Sequence, residues 1–463
     1  MHQQLIGLLK GPVARGAISS IALRVIGLAI AFLQSVLAAR VLGAEGFGIA
    51  AVALSTVLIA STLASLGFGP LSVREIAQRR ERDDDETVST FMAVSMISAI
   101  AVAMVIAGAI ATLGVFGEVI PAGFRDTVAA ALPMIPLLAF AVLTRGQAQG
   151  FGRVVVAQLP GDLLRPAIIS MALAAAYLGW WDATPATYML VSCLAILVGC
   201  LFSAVALRYL ATARPRRPHA GEAAAWHRAA APFLGIAALS VIGTEASTLI
   251  LAAVTSPEEV GLFQPIIRLV PLMLLTKEAI VMPLGPRLAA AWARGDHDQI
   301  KDLTRKAALA ATTGTVATVG ALLLVAPLIL GAFGRDFLVN QHLLLWIGLA
   351  QIVGAMSGPA SLLLDMAARM RERTIAQIIT VGVQLSFGAV LASLYGSDGA
   401  AAAIIATILA WNVFNWHFAR QRLGVDTSLL SYAELLQRRG ERPGQPPDPG
   451  SGPVPGPGPG EAP

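Results

Sequence analysis

Long apolar stretches separated by short polar breaks make up most of this 463-residue chain. A helix needs about 20 consecutive, mainly apolar residues to cross the roughly 30 Å hydrocarbon core of a bilayer. Twelve stretches of that length are predicted, and their approximate spans are 16–39, 48–69, 89–112, 127–148, 160–179, 186–207, 229–252, 260–283, 306–331, 342–364, 374–394 and 399–419. The pattern therefore predicts an all-α polytopic membrane protein of about twelve transmembrane helices.

The composition agrees with lipid as the main solvent of the chain. Hydrophobic residues make up 56% of the sequence and charged residues 13%, and the mean hydropathy is +0.71. One soluble core could not bury that much apolar surface. Glycine, alanine and serine are frequent in the predicted spans, and small residues let helix backbones approach closely in lipid. A tightly packed helix bundle is the structure that this composition favours.

Lysine and arginine are distributed unevenly between the two sides of the predicted topology. Basic residues near helix ends usually stay on the cytoplasmic side. With the N-terminus inside, the outer loops hold only Arg40, Arg125 and Arg335, and the inner segments hold most of the other basic residues. This asymmetry predicts a multi-pass protein of the inner (cytoplasmic) membrane with both termini cytoplasmic. It also accounts for the net charge of +5 without a nucleic-acid partner.

An internal repeat relates the two halves of the chain. A shift of 213 positions places Glu45 on Glu258, Gly48 on Gly261, Pro70 on Pro283 and Arg74 on Arg287. Chance matching in apolar sequence of low complexity is the alternative explanation. The repeat predicts two six-helix bundles, residues 1–215 and 216–424, related by a pseudo-two-fold axis along the membrane normal. Duplicated bundles of this kind usually enclose a cavity that opens alternately to each side, as in a transporter.

Residues 425–463 differ from the rest of the chain. Leu429, Leu430, Leu435 and Leu436 alternate with polar residues, which predicts a short amphipathic segment on the inner membrane surface. From about Gly440 to Pro463 the sequence is so rich in proline and glycine that a disordered cytoplasmic tail is predicted.

Three segments of the chain, LAARVLGAEGFGIAAVALSTVLIASTLASLGFG, SPEEVGLFQPIIRLV and YGSDGAAAA, together resemble the polysaccharide transporter family of the multidrug, oligosaccharidyl-lipid and polysaccharide exporter superfamily. The resemblance runs nearly end to end. The matching positions are Leu42, Gly43, Phe47 and Gly48 in the first loop, Glu245, Val260, Gly261 and Phe263 at the start of the second half, and Gly396, Gly399 and Ala400 before the last helix.

The resemblance implies a flippase that moves undecaprenyl-linked oligosaccharides, or similar polar lipids, from the cytoplasmic to the outer leaflet. Its expected partners are a polyprenyl-diphosphate-linked oligosaccharide, membrane lipid, H⁺ or Na⁺, and polysaccharide-assembly proteins. Three other functions stay open: a cation-coupled multidrug exporter, a flippase for peptidoglycan precursors, and a membrane polymerase or ligase of the same sugars. The peptidoglycan-precursor flippases usually have two more helices, and an enzyme would need a larger polar outer loop.

Charged residues within predicted spans are the candidate site residues, because a charge in lipid is costly and normally faces a cavity or a partner. Arg24 lies roughly 12 Å into the first span. Arg24 and Arg268 are the leading candidates to bind the diphosphate of the substrate, since guanidinium groups grip phosphate through two hydrogen bonds. Lys277 and Arg165 are further substrate-binding candidates, although Arg165 could instead pair with Asp162 one helical turn away.

Two acidic residues are candidates for ion coupling. Glu245 is the one acidic residue deep in the predicted seventh span, and Glu278 lies in the eighth. A buried carboxylate commonly binds the proton or sodium ion that drives a transporter. A structural ion pair between Glu245 and Arg268 is the alternative.

Several kinds of chemistry are not expected from the sequence. Cys193 and Cys200 lie two helical turns apart on one face and cannot form a disulfide with each other. The six histidines show no pair at a metal-ligand spacing, so no metal site is predicted. A glycine-rich loop that ends in Lys-Ser or Lys-Thr and cradles ATP phosphates is missing as well, so no cofactor is expected. Transport would be driven by an ion gradient or by the gradient of the substrate itself.

Overall fold

The computed structural model describes residues 12–116, 120, 122–211, 213–281 and 283–431. Leu435 and Leu436 of the predicted amphipathic segment and the predicted tail from about Gly440 therefore lie outside the described residues. Within those ranges, nine helices are long and apolar enough to cross a membrane. A bent pair, Gly123–Ala131 and Met134–Gly150, meets at 41° and forms a tenth crossing.

Two of the long helices contain two crossings each. Pro12–Ala64 has 53 residues and Met370–Leu423 has 54, which at 1.5 Å per residue is more than twice the thickness of the hydrocarbon core. Gly43 (φ 70°, ψ 179°) and Gly396 (φ 55°, ψ -129°) leave the helical conformation between the crossings. Glycine tolerates positive φ at no steric cost. The described chain therefore has twelve spans, and the predicted all-α fold is confirmed.

The spans are numbered in chain order. They are 12–42, 44–64, Asp85–Ala109 with the π-helical turn Ile110–Phe116, Ala122–Ala131 with Met134–Gly150, Val154–Gln158 with the π-helical turn Leu159–Leu164 and Arg165–Tyr177, Pro185–Leu210, Glu222–Val254, Pro257–Val281, His297–Phe333, Gln341–Met356, 370–395 and 397–423. Short helices at Phe68–Arg80, Leu284–Ala293 and Ala360–Met366 and a 3₁₀ turn at Asp336–Leu338 complete the described elements.

The twelve spans give the molecule two ends. The glycine-turn end carries the turns at Gly43 and Gly396, and the basic end, opposite to it, carries the connections after every even-numbered span. Side-chain caps fix where spans begin at the basic end. The Asp84 carboxylate accepts a hydrogen bond from the Thr87 amide (3.3 Å), and Asp296 accepts one from the Gln299 amide (2.9 Å). Such caps satisfy amide groups that have no partner within the first helical turn.

Spans 2 and 8 cross at two glycines that are equivalent under the 213-residue shift. A Cβ atom on Gly48 would lie 1.9 Å from the Pro257 carbonyl oxygen, and one on Gly261 would lie 1.8 Å from the Ala44 carbonyl oxygen. Ala44 and Pro257 are themselves equivalent under the same shift. The contact is therefore symmetric, as expected on a pseudo-two-fold axis that relates two six-span bundles.

The two bundles also meet at the glycine-turn end through side chains. The Arg40 guanidinium donates to the carbonyl oxygens of Ala332 (2.7 Å, from Nε) and Gly331 (3.0 Å, from Nη2) at the end of span 9. The rings of Phe47 and Phe337 pack edge to face across the bundles, with their centroids 6.5 Å apart. Together with the glycine crossing, these contacts close the space between the bundles at this end.

At the basic end, the connection between spans 6 and 7 is held against the first bundle. Arg216 forms an ion pair with Glu222 (2.9 Å) and donates to the Thr87 hydroxyl (3.2 Å). Hydrogen bonding to Glu222 raises the pKa of Arg216 above its usual value. The Trp226 indole donates to Glu75 (3.2 Å), so the first turns of span 7 pack on the first bundle.

The last described residues return to the basic end of the second bundle. Thr427 is fully buried, and its hydroxyl donates to the Ser357 carbonyl oxygen (2.7 Å) in the connection after span 10. The Trp416 indole donates to the Asp426 carboxylate (2.9 Å). Residues 425–431 therefore bind the end of span 12 to the end of span 10.

Candidate functional site

Two adjoining cavities lie between the six-span bundles. The first, of about 430 Å³, is lined mainly by spans 1, 2, 4, 5 and 6. The second, of about 440 Å³, is lined by spans 1, 2, 7, 8, 11 and 12. Both cavities share six lining residues, which are Leu28, Ala31, Ser35, Ala51, Leu54 and Arg268. The cavities are therefore parts of one hollow, with Arg268 at their junction.

The first cavity is cationic. Arg24, Arg145, Arg165 and Arg268 line it together with a single carboxylate, that of Asp162. Asp162 accepts two hydrogen bonds of 3.1 Å from Arg145, so this pair is neutral as a unit. In the part of the chain that the structure describes, the side chains of the other three arginines make no hydrogen bond or ion pair. They leave three positive charges facing the hollow.

Like charges lie close together in this wall. Arg165 belongs to the first bundle and Arg268 to the second, and both line this cavity, so their positive charges repel each other. An anion between them would remove that repulsion, and guanidinium groups match phosphate oxygens with paired donors. The first cavity is thus suited to a phosphate-bearing group.

A π-helical turn in span 5 positions Asp162 and Arg165. The turn, Leu159–Leu164, adds a residue to the helical repeat, which changes the direction of the side chains that follow. Span 1 packs directly on it, because a Cβ atom on Gly27 would lie 2.2 Å from the Asp162 carbonyl oxygen. A glycine at position 27 is therefore required for span 1 to bring Arg24 to the same cavity.

The structure corrects one sequence interpretation and adds two residues. The one-turn spacing predicts a pair between Asp162 and Arg165. In the structure, Asp162 pairs with Arg145 instead. Arg145 lies near the end of an apolar stretch, so the sequence marks it only as one of the basic residues of the inner segments. Tyr188 was also missed, and its hydroxyl accepts a hydrogen bond from Gln34 (3.0 Å) in the cavity wall.

The second cavity combines an apolar wall with many polar side chains. Ten of its 22 lining residues have polar side chains, which are able to form hydrogen bonds. Glu245 accepts a hydrogen bond from the Ser55 hydroxyl (2.6 Å), which joins span 7 to span 2 of the other bundle. The predicted alternative, an ion pair between Glu245 and Arg268, is not among the described ion pairs.

Lys277 and Glu278 occupy different surroundings from the other candidates. The Lys277 ammonium donates to the Asn412 side-chain oxygen (3.3 Å) within the second bundle, and Glu278 is exposed. Neither residue is among those that line the two described cavities. The structure thus brings together Arg24, Arg165, Arg268 and Glu245, and it places Lys277 and Glu278 apart from them.

Comparison with known proteins agrees with this arrangement. A family described as polysaccharide biosynthesis proteins matches residues 13–292, more than half of the chain. The chain belongs to this family. The predicted resemblance to a polysaccharide family is confirmed, and no curated protein matches the chain.

Three solved structures show the same fold. An inward-facing multidrug resistance MATE family transporter of the MOP superfamily has a TM-score of 0.70 at 15% identity, covering 88% of this chain and 98% of its own. The lipid II flippase MurJ, in an inward closed conformation, has a TM-score of 0.67 at 12% identity, covering 93% of both chains. A MOP superfamily transporter from Pyrococcus furiosus Vc1 has a TM-score of 0.60 at 15% identity, covering 88% of this chain and 95% of its own. The chain is therefore a multi-pass membrane protein with the two-lobed fold of these transporters.

Proposed function

We propose that this protein is a flippase that carries polyprenyl-diphosphate-linked oligosaccharides across the inner membrane by alternating access. The observation that carries the proposal is a group of three arginines, Arg24, Arg165 and Arg268, in a cavity between two six-span bundles. None of the three forms an ion pair with another described residue. Placing a charged side chain within the hydrocarbon core of a membrane costs free energy, so such a residue normally binds a substrate or pairs with another residue. A diphosphate supplies the opposite charge and the acceptor geometry that guanidinium groups need.

Alternating access requires the hollow to open to one side at a time. The glycine crossing of spans 2 and 8 and the Arg40 contact close the glycine-turn end in this conformation. The basic end is taken as cytoplasmic, because basic residues accumulate on that side. A lipid-linked sugar would then enter from the cytoplasmic side and leave after the bundles separate at the glycine-turn end.

Glu245 is the proposed coupling residue. Its carboxylate joins the two bundles through Ser55, so binding a proton or a sodium ion there would alter a contact between them. If Glu245 carries the coupling ion, a Glu245→Gln variant will lose the dependence of transport on pH or sodium. Unaltered pH and sodium dependence in that variant would remove Glu245 from this role. Lys277 and Glu278 lie outside the cavities, so their predicted roles would require another conformation.

Transport of a short-chain fluorescent polyprenyl diphosphate trisaccharide into proteoliposomes tests the main proposal. We expect Arg24→Gln, Arg165→Gln and Arg268→Gln each to reduce transport about tenfold or more, because each removes a charge-assisted contact. Replacement by Lys keeps the charge but not the paired donors, so it should have an intermediate effect. Arg371→Gln is the matched control, because Arg371 is exposed and lies outside both cavities. Full transport by a well-folded variant that lacks all three cavity arginines would refute the proposal.

The other candidate functions predict different results in cells. A flippase whose gene is deleted leaves lipid-linked sugar in the inner leaflet, whereas loss of a polymerase or ligase leaves unpolymerised units in the outer leaflet. Loss of a drug exporter leaves the lipids unchanged and increases retention of cationic dyes. The arginines that line the first cavity disfavour cationic drugs, because like charges repel each other.

A further inference from the structure

We propose that the second cavity binds the carbohydrate part of the substrate, with the carboxamides of Gln264 and Gln384 as its main contacts. This inference rests on the proposed function and divides one substrate between the two cavities. The diphosphate lies at the arginines of the first cavity, and the sugars lie in the second. Arg268 lines both, so a sugar attached to a diphosphate held by Arg268 extends directly into the second cavity.

The two carboxamides are buried polar groups at the wall of the hollow. Gln264 is 3% exposed and Gln384 is 2% exposed. Gln264 donates to the Thr248 hydroxyl (3.2 Å), and Gln384 donates to the Ser247 hydroxyl (2.6 Å) and accepts from the Thr407 hydroxyl. Buried polar groups need partners of this kind when no ligand is bound. All five side chains line the second cavity.

Hydroxyl and amide groups match the chemistry of a neutral sugar. A sugar hydroxyl both donates and accepts hydrogen bonds, as do the hydroxyls of serine and threonine. A carboxamide donates from its nitrogen and accepts at its oxygen. A sugar can therefore exchange hydrogen bonds with this network without leaving a donor or acceptor unpaired. The apolar residues between these polar groups suit the carbon faces of sugar rings, because ligand sites are mostly apolar with a few placed polar groups.

Two other occupants fit the wall less well. An isoprenoid chain forms no hydrogen bonds, so it would gain nothing from ten polar lining residues. A cation would use the single carboxylate, Glu245, and would not need two neutral carboxamides. The volume of about 440 Å³ falls in the range of ligand pockets, roughly 300–1,000 Å³.

Placing the sugars in the second cavity also makes the second bundle responsible for sugar specificity. Gln264, Gln384 and their hydroxyl partners all belong to spans 7, 8, 11 and 12. Arg24 and Arg165 belong to the first bundle. A substrate that occupies both cavities therefore bridges the bundles, and its sugars are selected by residues that do not contact the diphosphate.

Binding of two lipids to the purified full-length chain tests the inference. One probe is a short-chain polyprenyl diphosphate without sugar, and the other is the same lipid carrying a neutral disaccharide. We expect Gln264→Met and Gln384→Met to weaken binding of the disaccharide lipid about tenfold, because each replaces hydrogen-bonding groups by an apolar side chain of similar size. Binding of the sugar-free lipid should stay the same. The ratio of the two dissociation constants is measured on one protein sample, so a partly unfolded variant does not alter it.

Gln147→Met is the matched control. Gln147 is also a buried carboxamide that donates to a hydroxyl, that of Ser95 (3.4 Å), but it lines neither cavity. Its replacement should leave the ratio unchanged. The inference is overturned if the cavity variants weaken both lipids equally, if they leave the ratio at the parent value, or if they alter only the dependence on sodium. In each of those cases the proposed function still stands as long as Arg24→Gln weakens both lipids. Failure of the parent to bind either lipid would overturn both proposals.

Discussion

Asp162 and Arg145 differ from the other charged groups of the first cavity because they neutralise each other. The Arg145 side chain is 42% exposed, so solvent screens the pair and we expect a coupling free energy of only about 1 kcal/mol. Arg145→Gln leaves an unpaired carboxylate in the cavity that Arg24, Arg165 and Arg268 line, and this variant should bind the substrate diphosphate more weakly. A double-mutant cycle with Asp162→Asn, read by thermal unfolding in detergent and by substrate binding, measures both effects.

One result of the double-mutant cycle would contradict this explanation of weaker binding. If the double variant binds the diphosphate lipid no better than Arg145→Gln alone, the unpaired Asp162 carboxylate is not what weakens binding. Arg145 would then contact the substrate itself. Arg153→Gln is a suitable control, because Arg153 is an exposed residue of the basic end that lines neither cavity.

Asp426 gives a pH-dependent prediction outside the spans. Burial opposes ionisation of its carboxyl, but hydrogen bonds from the Trp416 indole and the Ser428 amide outweigh burial and lower the pKa of Asp426 below its usual value. A lowered pKa stabilises the fold above the unfolded-state value of about 3.9, and this stabilisation is lost as the pH falls below it. Asp426→Asn should therefore reduce the free energy of unfolding by about 1–2 kcal/mol at pH 7.

The same variant should differ progressively less from the parent as the pH falls below about 4 and through the lowered pKa of Asp426, because the parent carboxyl becomes neutral there. Thermal unfolding measured from pH 3 to pH 8 checks this convergence. A constant difference across that range would mean that the ionised carboxylate is not what stabilises residues 425–431. Asp298→Asn, at an exposed position of the basic end, provides a comparison.

Sequence reasoning identified charged groups of the cavity wherever their depth in a span was unusual. Arg24, Arg268 and Glu245 are such residues, because ionised groups are costly in lipid. Arg165 lies near the inner end of its span and is only a further candidate from the sequence. Arg145 did not stand out, since a basic residue near a span end is ordinary. The partner of Asp162 could not be predicted from helical spacing, because the π-helical turn Leu159–Leu164 changes that spacing.

At the scale of elements, the crossing of spans 2 and 8 depends on glycine. A methyl group on Gly48 would lie 1.9 Å from the Pro257 carbonyl oxygen, and backbone atoms cannot yield as a side chain can. We expect Gly48→Ala and Gly261→Ala to separate the spans and to cost about 1–3 kcal/mol, as overpacking does. They should also open the glycine-turn end, which the structure shows closed.

An introduced cysteine at Ser35 reports on that opening, because Ser35 lines both cavities. With Cys193 and Cys200 replaced by alanine, labelling by a membrane-impermeant maleimide from outside should be faster in the Gly48→Ala variant. Gly320→Ala is the control, because a Cβ atom on Gly320 has nothing within 4 Å. Equal labelling rates in the three proteins would show that the glycine crossing does not hold this end closed.

Hydropathy predicts where the spans lie, but it does not predict where a helix breaks within a span. Residues 342–364 were predicted as one span, whereas the helix ends at Met356 and a separate helix covers Ala360–Met366. Gly358 between them has φ 71°, and a Cβ atom there would lie 2.1 Å from the Thr427 carbonyl oxygen. The break is thus occupied by a segment about 70 residues away in sequence, which a local hydrophobic pattern cannot indicate.

At the scale of the whole molecule, the sequence predicts the repeat and the number of spans, because both depend on periodic features. The 213-residue shift matched Gly48 with Gly261, and these are the residues that meet in space. The relative position of the two bundles cannot be predicted from the sequence. It depends on contacts such as Arg40 with Ala332, which involve carbonyl groups that no sequence motif marks. The predicted boundary between the halves at residue 215 stays a prediction.

Movement between the two bundles is the physical requirement of the proposed flippase, and a cross-link between them should stop it. Phe47 belongs to the first bundle and Phe337 to the second, and their rings are 6.5 Å apart at the glycine-turn end. In a chain without Cys193 and Cys200, we expect Phe47→Cys with Phe337→Cys to react with a short bifunctional methanethiosulfonate. Transport should then fall at least tenfold and return after treatment with a reductant.

A second cysteine pair separates the effect of tying the bundles together from the effect of losing two phenylalanines. Phe333 and Phe337 both belong to the second bundle, at the same end, and their rings are 5.9 Å apart. Cross-linked Phe333→Cys with Phe337→Cys should transport as well as its own reduced form, because a link within one rigid bundle does not restrict movement between bundles. If the link between Phe47 and Phe337 forms completely and transport continues, the glycine-turn end does not need to open. The substrate would then have to cross by a route other than separation of the bundles at that end.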